Sequence, residues 1–145
     1  MTKEILLSVK GLHYQGADGN DEIETITPAE YYDKGDSHYV LYEEIMEGME
    51  VPVKNVVKFK NSYLEITKKG PLSVHLLFEE GKKNLTSYAT PFGSILIGVD
   101  TEEVEVRKEE HSIDIRVKYT LEANYEFLAD CELSMELREN CQSAK

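Results

Sequence analysis

Residues 113–137 read IDIRVKYTLEANYEFLADCELSMEL. From Ile113 to Leu121 apolar and polar residues alternate almost without error, and they do so again from Tyr125 to Leu137. A period of two sends successive side chains to opposite faces of a strand, so each run predicts a half-buried antiparallel strand. In the second run Tyr125, Phe127, Ala129, Cys131, Leu133, Met135 and Leu137 make an apolar face. Glu126, Asp130, Glu132, Ser134, Glu136 and Arg138 make most of a polar one. At roughly 3.4 Å per residue this strand is about 40 Å long. A small flat sheet has no use for that length, whereas a strand coiling around a closed barrel, with a bulge or bend, does.

Outward from this stretch the same pattern recurs in shorter pieces. Ile5, Leu7 and Val9 mark a first strand, and Gly16 to Asp21 reads as a loop. Ile23 to Thr27 is a short strand that Pro28 ends, and Ala29 to Lys34 is taken as another. Ser37 to Met46 is a strong strand with His38, Val40, Tyr42 and Glu44 on one face. Val51 to Lys60 carries Val53, Asn55, Val57 and Phe59 on one side, and Asn61 and Ser62 turn it into Tyr63 to Lys68. After Gly70 and Pro71, Leu72, Val74, Leu76 and Phe78 share a face, and Glu80-Gly81 leads into Lys82 to Ala89. Ile95, Ile97 and Val99 make one strand, Val104 and Val106 the next.

No segment carries the period of a long helix, so the fold class is all-β. About ten short strands with tight connections lie side by side in sequence order. An open meander exposes two edges, and closure removes them. The expectation is a closed antiparallel meander barrel of about 8–10 strands, with a two-sheet sandwich as its rival. It occupies one domain, residues 1–139, followed by a flexible tail, residues 140–145.

The 145 residues include 28 acidic and 16 basic side chains, a formal charge of −12. That field repels phosphate backbones and anionic lipid, which argues against nucleic acid unless Lys54, Lys58, Lys60, Lys68 and Lys69 converge. The start, MTKEILLSVKG, has too short an apolar run for a signal peptide, and no stretch is long enough for a membrane helix. A cytoplasmic protein is expected. Cys131 and Cys141 make no disulfide scaffold, and Cys131 reads as a small buried side chain. His13, His38, His75 and His111 lack metal-ligand spacing, so neither a metal nor a cofactor is expected.

Three places could carry chemistry. The barrel interior could be packed or could hold a small ligand. If Val40 and Tyr42 point inward, Glu44 follows them and needs a cation, for which Lys69 and Arg116 are the candidates; otherwise the strand stops short and Glu44 is solvated. The corner Tyr88-Ala89-Thr90-Pro91-Phe92-Gly93 is stiffened by Pro91 and could present the Tyr88 and Thr90 hydroxyls.

YVLYEE at residues 39–44, Lys69-Gly70, LFEEG at 77–81, YATPFG at 88–93 and VKYTL at 117–121 together resemble the YwiB-like family of small bacterial proteins. The resemblance spans nearly the whole chain. It implies a calycin-like (lipocalin-like) β-barrel and a bacterial cytoplasmic protein, and it implies no particular activity. The family more often has arginine at the Lys69 position; lysine keeps the charge but not the bidentate fork.

The leading expectation is a binding module for a small, partly apolar ligand, with Tyr42, Glu44, Lys69, Tyr88 and Thr90 lining or gating the mouth. The alternative is a protein-interaction or structural module, a homodimer or a docked partner, with a packed core. An enzyme is not expected: there is no nucleophile elbow or phosphate loop, and Tyr42 with Glu44 is the pair to test first.

Overall fold

The computed structural model describes residues 3–11, 24–44, 52–70, 74–90 and 93–139. The expectations for Gly16–Asp21, Gly48, Pro71, Pro91, Phe92, His13, Cys141 and the tail at 140–145 lie outside these residues.

Ten strands follow one another: β1 (Glu4–Lys10), β2 (Glu24–Asp33), β3 (His38–Glu44), β4 (Val53–Lys60), β5 (Tyr63–Lys69), β6 (Val74–Glu79), β7 (Lys83–Thr90), β8 (Gly93–Lys108), β9 (Ser112–Ala123) and β10 (Glu126–Glu139). They form one antiparallel sheet in the order β6-β5-β4-β3-β2-β1-β10-β9-β8-β7. The first strand pairs with the last, Ile5 opposite Glu139 and Lys10 opposite Ser134. The result is a nearly closed barrel with meander-like order.

The barrel stays open at one seam, between β6 and β7. These strands are consecutive in the chain, yet they share no ladder. Their turn explains why. Gly81 donates its N–H to Thr101 O at 2.9 Å and Thr101 donates its own to Lys82 O at 3.0 Å, so the start of β7 is tied to β8. Glu80 N–H bonds Ser62 O at 3.2 Å, which ties the end of β6 to β5. Across the seam Asn84 Nδ2 reaches Leu77 O at 3.4 Å. The expectation that every sequential pair lies side by side fails here: apart from Lys82 N–H, which bonds Glu79 O at 3.0 Å within the turn, these backbone groups bond to outer neighbours.

Three sequence readings are corrected. Pro28 does not end a strand: β2 runs through it. Tyr31 N–H bonds Lys3 O at 2.7 Å, so the odd-numbered amides of β2 face β1 and the Pro28 nitrogen faces the β3 side. There the β2–β3 ladder stops at Glu30–Leu41, and no donor is required. Second, the runs around Val99 and Val104 are one strand of 16 residues. A register shift between Thr101 and Glu103 inserts an extra residue and changes which parity faces inward. Third, the apolar face of β10 does not extend to its start. Leu133, Met135 and Leu137 are buried, but Tyr125 is 72% and Phe127 66% exposed. Asn124 and Tyr125, both with positive φ, form the two-residue turn, and a shift between Phe127 and Ala129 breaks the alternation.

Inward residues from all ten strands except β7 and β6's rim build one core around Leu7, Val57, Phe59, Leu64, Ile66, Phe78, Ile115, Val117, Leu133 and Leu137. Cys131 is half-buried at its edge. Gly11 closes the top of β1 against β10. Its φ is +82°, and a Cβ there would lie 2.0 Å from Glu132 O, so only glycine fits.

Candidate functional site

The register of β3 to β6 stacks the inward residues in rows. His38, Phe59, Leu64 and Phe78 make one row, and Val40, Val57, Ile66 and Leu76 the next. One step further toward the end where β3 and β5 finish, the row reads Tyr42, Asn55, Lys68 and Val74. The core thus turns polar just inside this rim. Glu44 stands one inward step beyond Tyr42, opposite Val53.

Glu44 reaches back over the row. Its Oε1 accepts from Lys68 Nζ at 2.7 Å and from Asn55 Nδ2 at 3.0 Å. The Glu44 and Lys68 side chains are each 16% exposed. Asn55 is 1% exposed; its Nδ2 also reaches Val53 O at 3.3 Å, and its Oδ1 has no partner among the described residues. Burial, and secondarily the Glu44 charge, pushes the Tyr42 hydroxyl well above the ordinary tyrosine range. The phenol therefore stays protonated and can donate a hydrogen bond.

The structure brings Tyr42 and Glu44 together and gives the carboxylate a cation, which is Lys68. Lys69, one residue on, is exposed on the outer face opposite Lys54. Arg116 is also exposed on the outer face, beside a groove of about 350 Å³ that includes Ser8, Lys10, Glu105 and Ser134. The signal for Lys68 was present in the sequence: Leu64, Ile66 and Lys68 share a parity, and the parity of an inward strand passes to its last residue. Asn55 was read on the right face without a role. Tyr88 and Thr90 lie on β7 opposite Ile95 and Gly93 at this same end, and their side chains are outside the described ones.

Other polar groups sit away from the rim. At the opposite end His38 is 4% exposed, stacked on Phe59 at 5.0 Å, with Nδ1 2.7 Å from the Tyr31 hydroxyl and Nε2 unpartnered among the described residues. Burial, followed by the Lys108 charge, lowers its pKa. On the outer face Glu65 accepts from Tyr63 Oη at 2.9 Å and pairs with His75, whose hydrogen bond is the largest cause of its lowered pKa. A cavity of about 90 Å³ lies in the seam between His75 and Leu77 on one side and Asn84 and Thr86 on the other. Of the five lysines named for nucleic acid, Lys68 points inward to Glu44; Lys54, Lys58, Lys60 and Lys69 share the outer face of β4 and β5, where Lys69 lies opposite Lys54 and Lys58 faces Glu65 across the ladder. Among the described residues no group of three or more His, Cys, Asp or Glu could hold a metal ion, and no helix is long and apolar enough to cross a membrane.

A family profile described as "Domain of unknown function (DUF1934)" matches residues 7–135. The chain belongs to the DUF1934 family. Its fold is similar to the crystal structure of the ywiB protein from Bacillus subtilis, with a TM-score of 0.77 and 20% identity over 95% of this chain and 92% of that one. At that identity the likeness speaks for the DUF1934 fold alone. No functionally curated protein matches the sequence. The matched region contains the whole Tyr42–Asn55–Lys68 row, so the rim cluster belongs to the DUF1934 domain itself.

Proposed function

We propose that this DUF1934 barrel is a calycin-like, lipocalin-like binding module, a cytoplasmic non-enzyme that takes a small, partly apolar molecule at its polar rim. One observation carries the reading: the inward row Tyr42–Asn55–Lys68 replaces apolar core with hydrogen-bonding groups at the strand ends, capped by Glu44. Such convergent polar groups above an apolar floor are what small-molecule sites use to orient a ligand. Val53 and half-buried Val74 supply apolar contact beside them. Tyr88 and Thr90 are assigned to the same rim from their strand positions.

The test is a fluorescence titration with 1-aminoanthracene, a neutral probe that brightens in apolar surroundings. Wild type is expected to bind it saturably, and Val74→Arg, which puts a charge at the end of the row, to bind it much more weakly. Equal binding by both proteins, or none by either, would refute the rim site.

A second reading rests on a separate observation. Leu85, Tyr125 and Phe127 are exposed at 51%, 72% and 66%. Leu85 covers Gly98, which pairs with Glu122, which in turn pairs with Phe127. This outward row suits a protein partner or a second copy. Concentration-dependent sedimentation abolished by Phe127→Ser would favour it over a monomeric binder.

A further inference from the structure

Resting on the reading of the rim as a binding site, we infer that it selects an uncharged head group able to donate a hydrogen bond, such as a primary amide or alcohol, over an anionic or cationic one. The argument starts at Asn55. Its Nδ2 lies between two acceptors, Glu44 Oε1 at 3.0 Å and Val53 O at 3.3 Å. Rotating the amide by half a turn would set oxygen against both, so its orientation is fixed. The group left over is Oδ1, a buried acceptor on a residue 1% exposed and without a partner among the described residues. Leaving such an atom unsatisfied is costly, and only a donor satisfies it.

Charge narrows the choice. Glu44 and Lys68 already neutralise each other at 2.7 Å. An ammonium head could donate to Asn55 Oδ1, but it would sit beside the Lys68 ammonium, which is the direct ladder neighbour of Asn55. A carboxylate has no donor to give, and it would face both Oδ1 and the Glu44 carboxylate. A primary amide meets each demand: its N–H goes to Asn55 Oδ1 and its carbonyl accepts from Lys68, whose ammonium carries three N–H groups. An alcohol does the same with one atom. The apolar remainder lies over Val53, Val74 and the Tyr42 ring.

The experiment displaces 1-aminoanthracene from the full chain near neutral pH with hexanamide, hexanoate or hexylammonium, which share one apolar chain and differ in the head. Hexanamide is expected to win by about tenfold or more over both ions. In Asn55→Leu the ratio of hexanamide to either ion as a displacer is expected to fall to near one, whatever that variant's own affinity for the probe. If the probe binds wild type and either ion equals or beats hexanamide, the head-group inference is overturned and the rim site stands. If wild type binds no probe, the rim site itself falls. The ranking on wild type decides the matter even if Asn55→Leu does not fold.

Discussion

Lys68 holds Glu44 where neither side chain is fully wetted, so removing one partner costs more than the contact itself is worth. Lys68→Met is expected to lower stability by about 1–2 kcal/mol, less than for a fully buried pair because some water still reaches it. Glu44→Gln with Lys68→Met should recover most of that loss, since both charges then leave together. A double-mutant cycle by urea unfolding measures the coupling, and strictly additive losses would contradict it. His38 makes a prediction in pH. Its pKa is lowered from the usual 6.5, so between 6.5 and its folded value the unfolded chain binds the proton more readily. Stability contributed by neutral His38 is therefore present above 6.5 and declines as pH falls toward the folded value. Tyr31→Phe with His38→Phe, which removes both ends of their hydrogen bond, should flatten this part of the stability profile; an unchanged slope would exclude His38 as its source. At this scale the sequence was readable where parity continued unbroken. Tyr42 and Asn55 fall on the faces that parity predicts because β3 and β4 alternate cleanly, and of the two readings open for Glu44 the inward one holds. Lys68 and Lys69 carry the same charge, and only strand parity separates the one that points inward from the one expected to.

Among the elements, periodicity revealed the strands but missed where the phase slips. An extra residue between Thr101 and Glu103 looks in sequence like the gap between two strands, since a bulge and a turn both interrupt alternation. The same ambiguity placed Phe127 on the core face of β10. Structure separates the two halves of that strand, and substitutions should too. Leu133→Ala is expected to cost about 2–5 kcal/mol, whereas Phe127→Ser should stay within about 0.5 kcal/mol. Chemical denaturation of the two variants checks this, and a large loss for Phe127→Ser would mean the residue is covered. The seam is a property of elements that no single-strand pattern encodes. Glu80 N–H faces β5, so the odd-numbered amides of β6 face the gap. Leu77 N–H should therefore exchange with deuterium far faster than Ile66 N–H, which sits between two ladders. Equal protection would show that the seam is closed in solution.

The whole molecule was the most legible level, because short connections and a continuous alternation leave few ways to hide an apolar face. That β1 and β10 would meet followed from the need to remove edges; that the break would fall between two consecutive strands did not. Their meeting has a consequence for chain order. Glu4 and Glu139 lie side by side at one end of the barrel, since Ile5 is paired with Glu139, so the barrel's two ends can be fused by a short linker. Cutting the chain instead at Glu80–Gly81 would yield a circular permutant that begins with β7 and finishes with β6. In that permutant every ladder joins strands adjacent in sequence, and the long-range β1–β10 closure becomes a local hairpin. With contact order reduced and the fold retained, the permutant should refold faster than the parent in stopped-flow experiments.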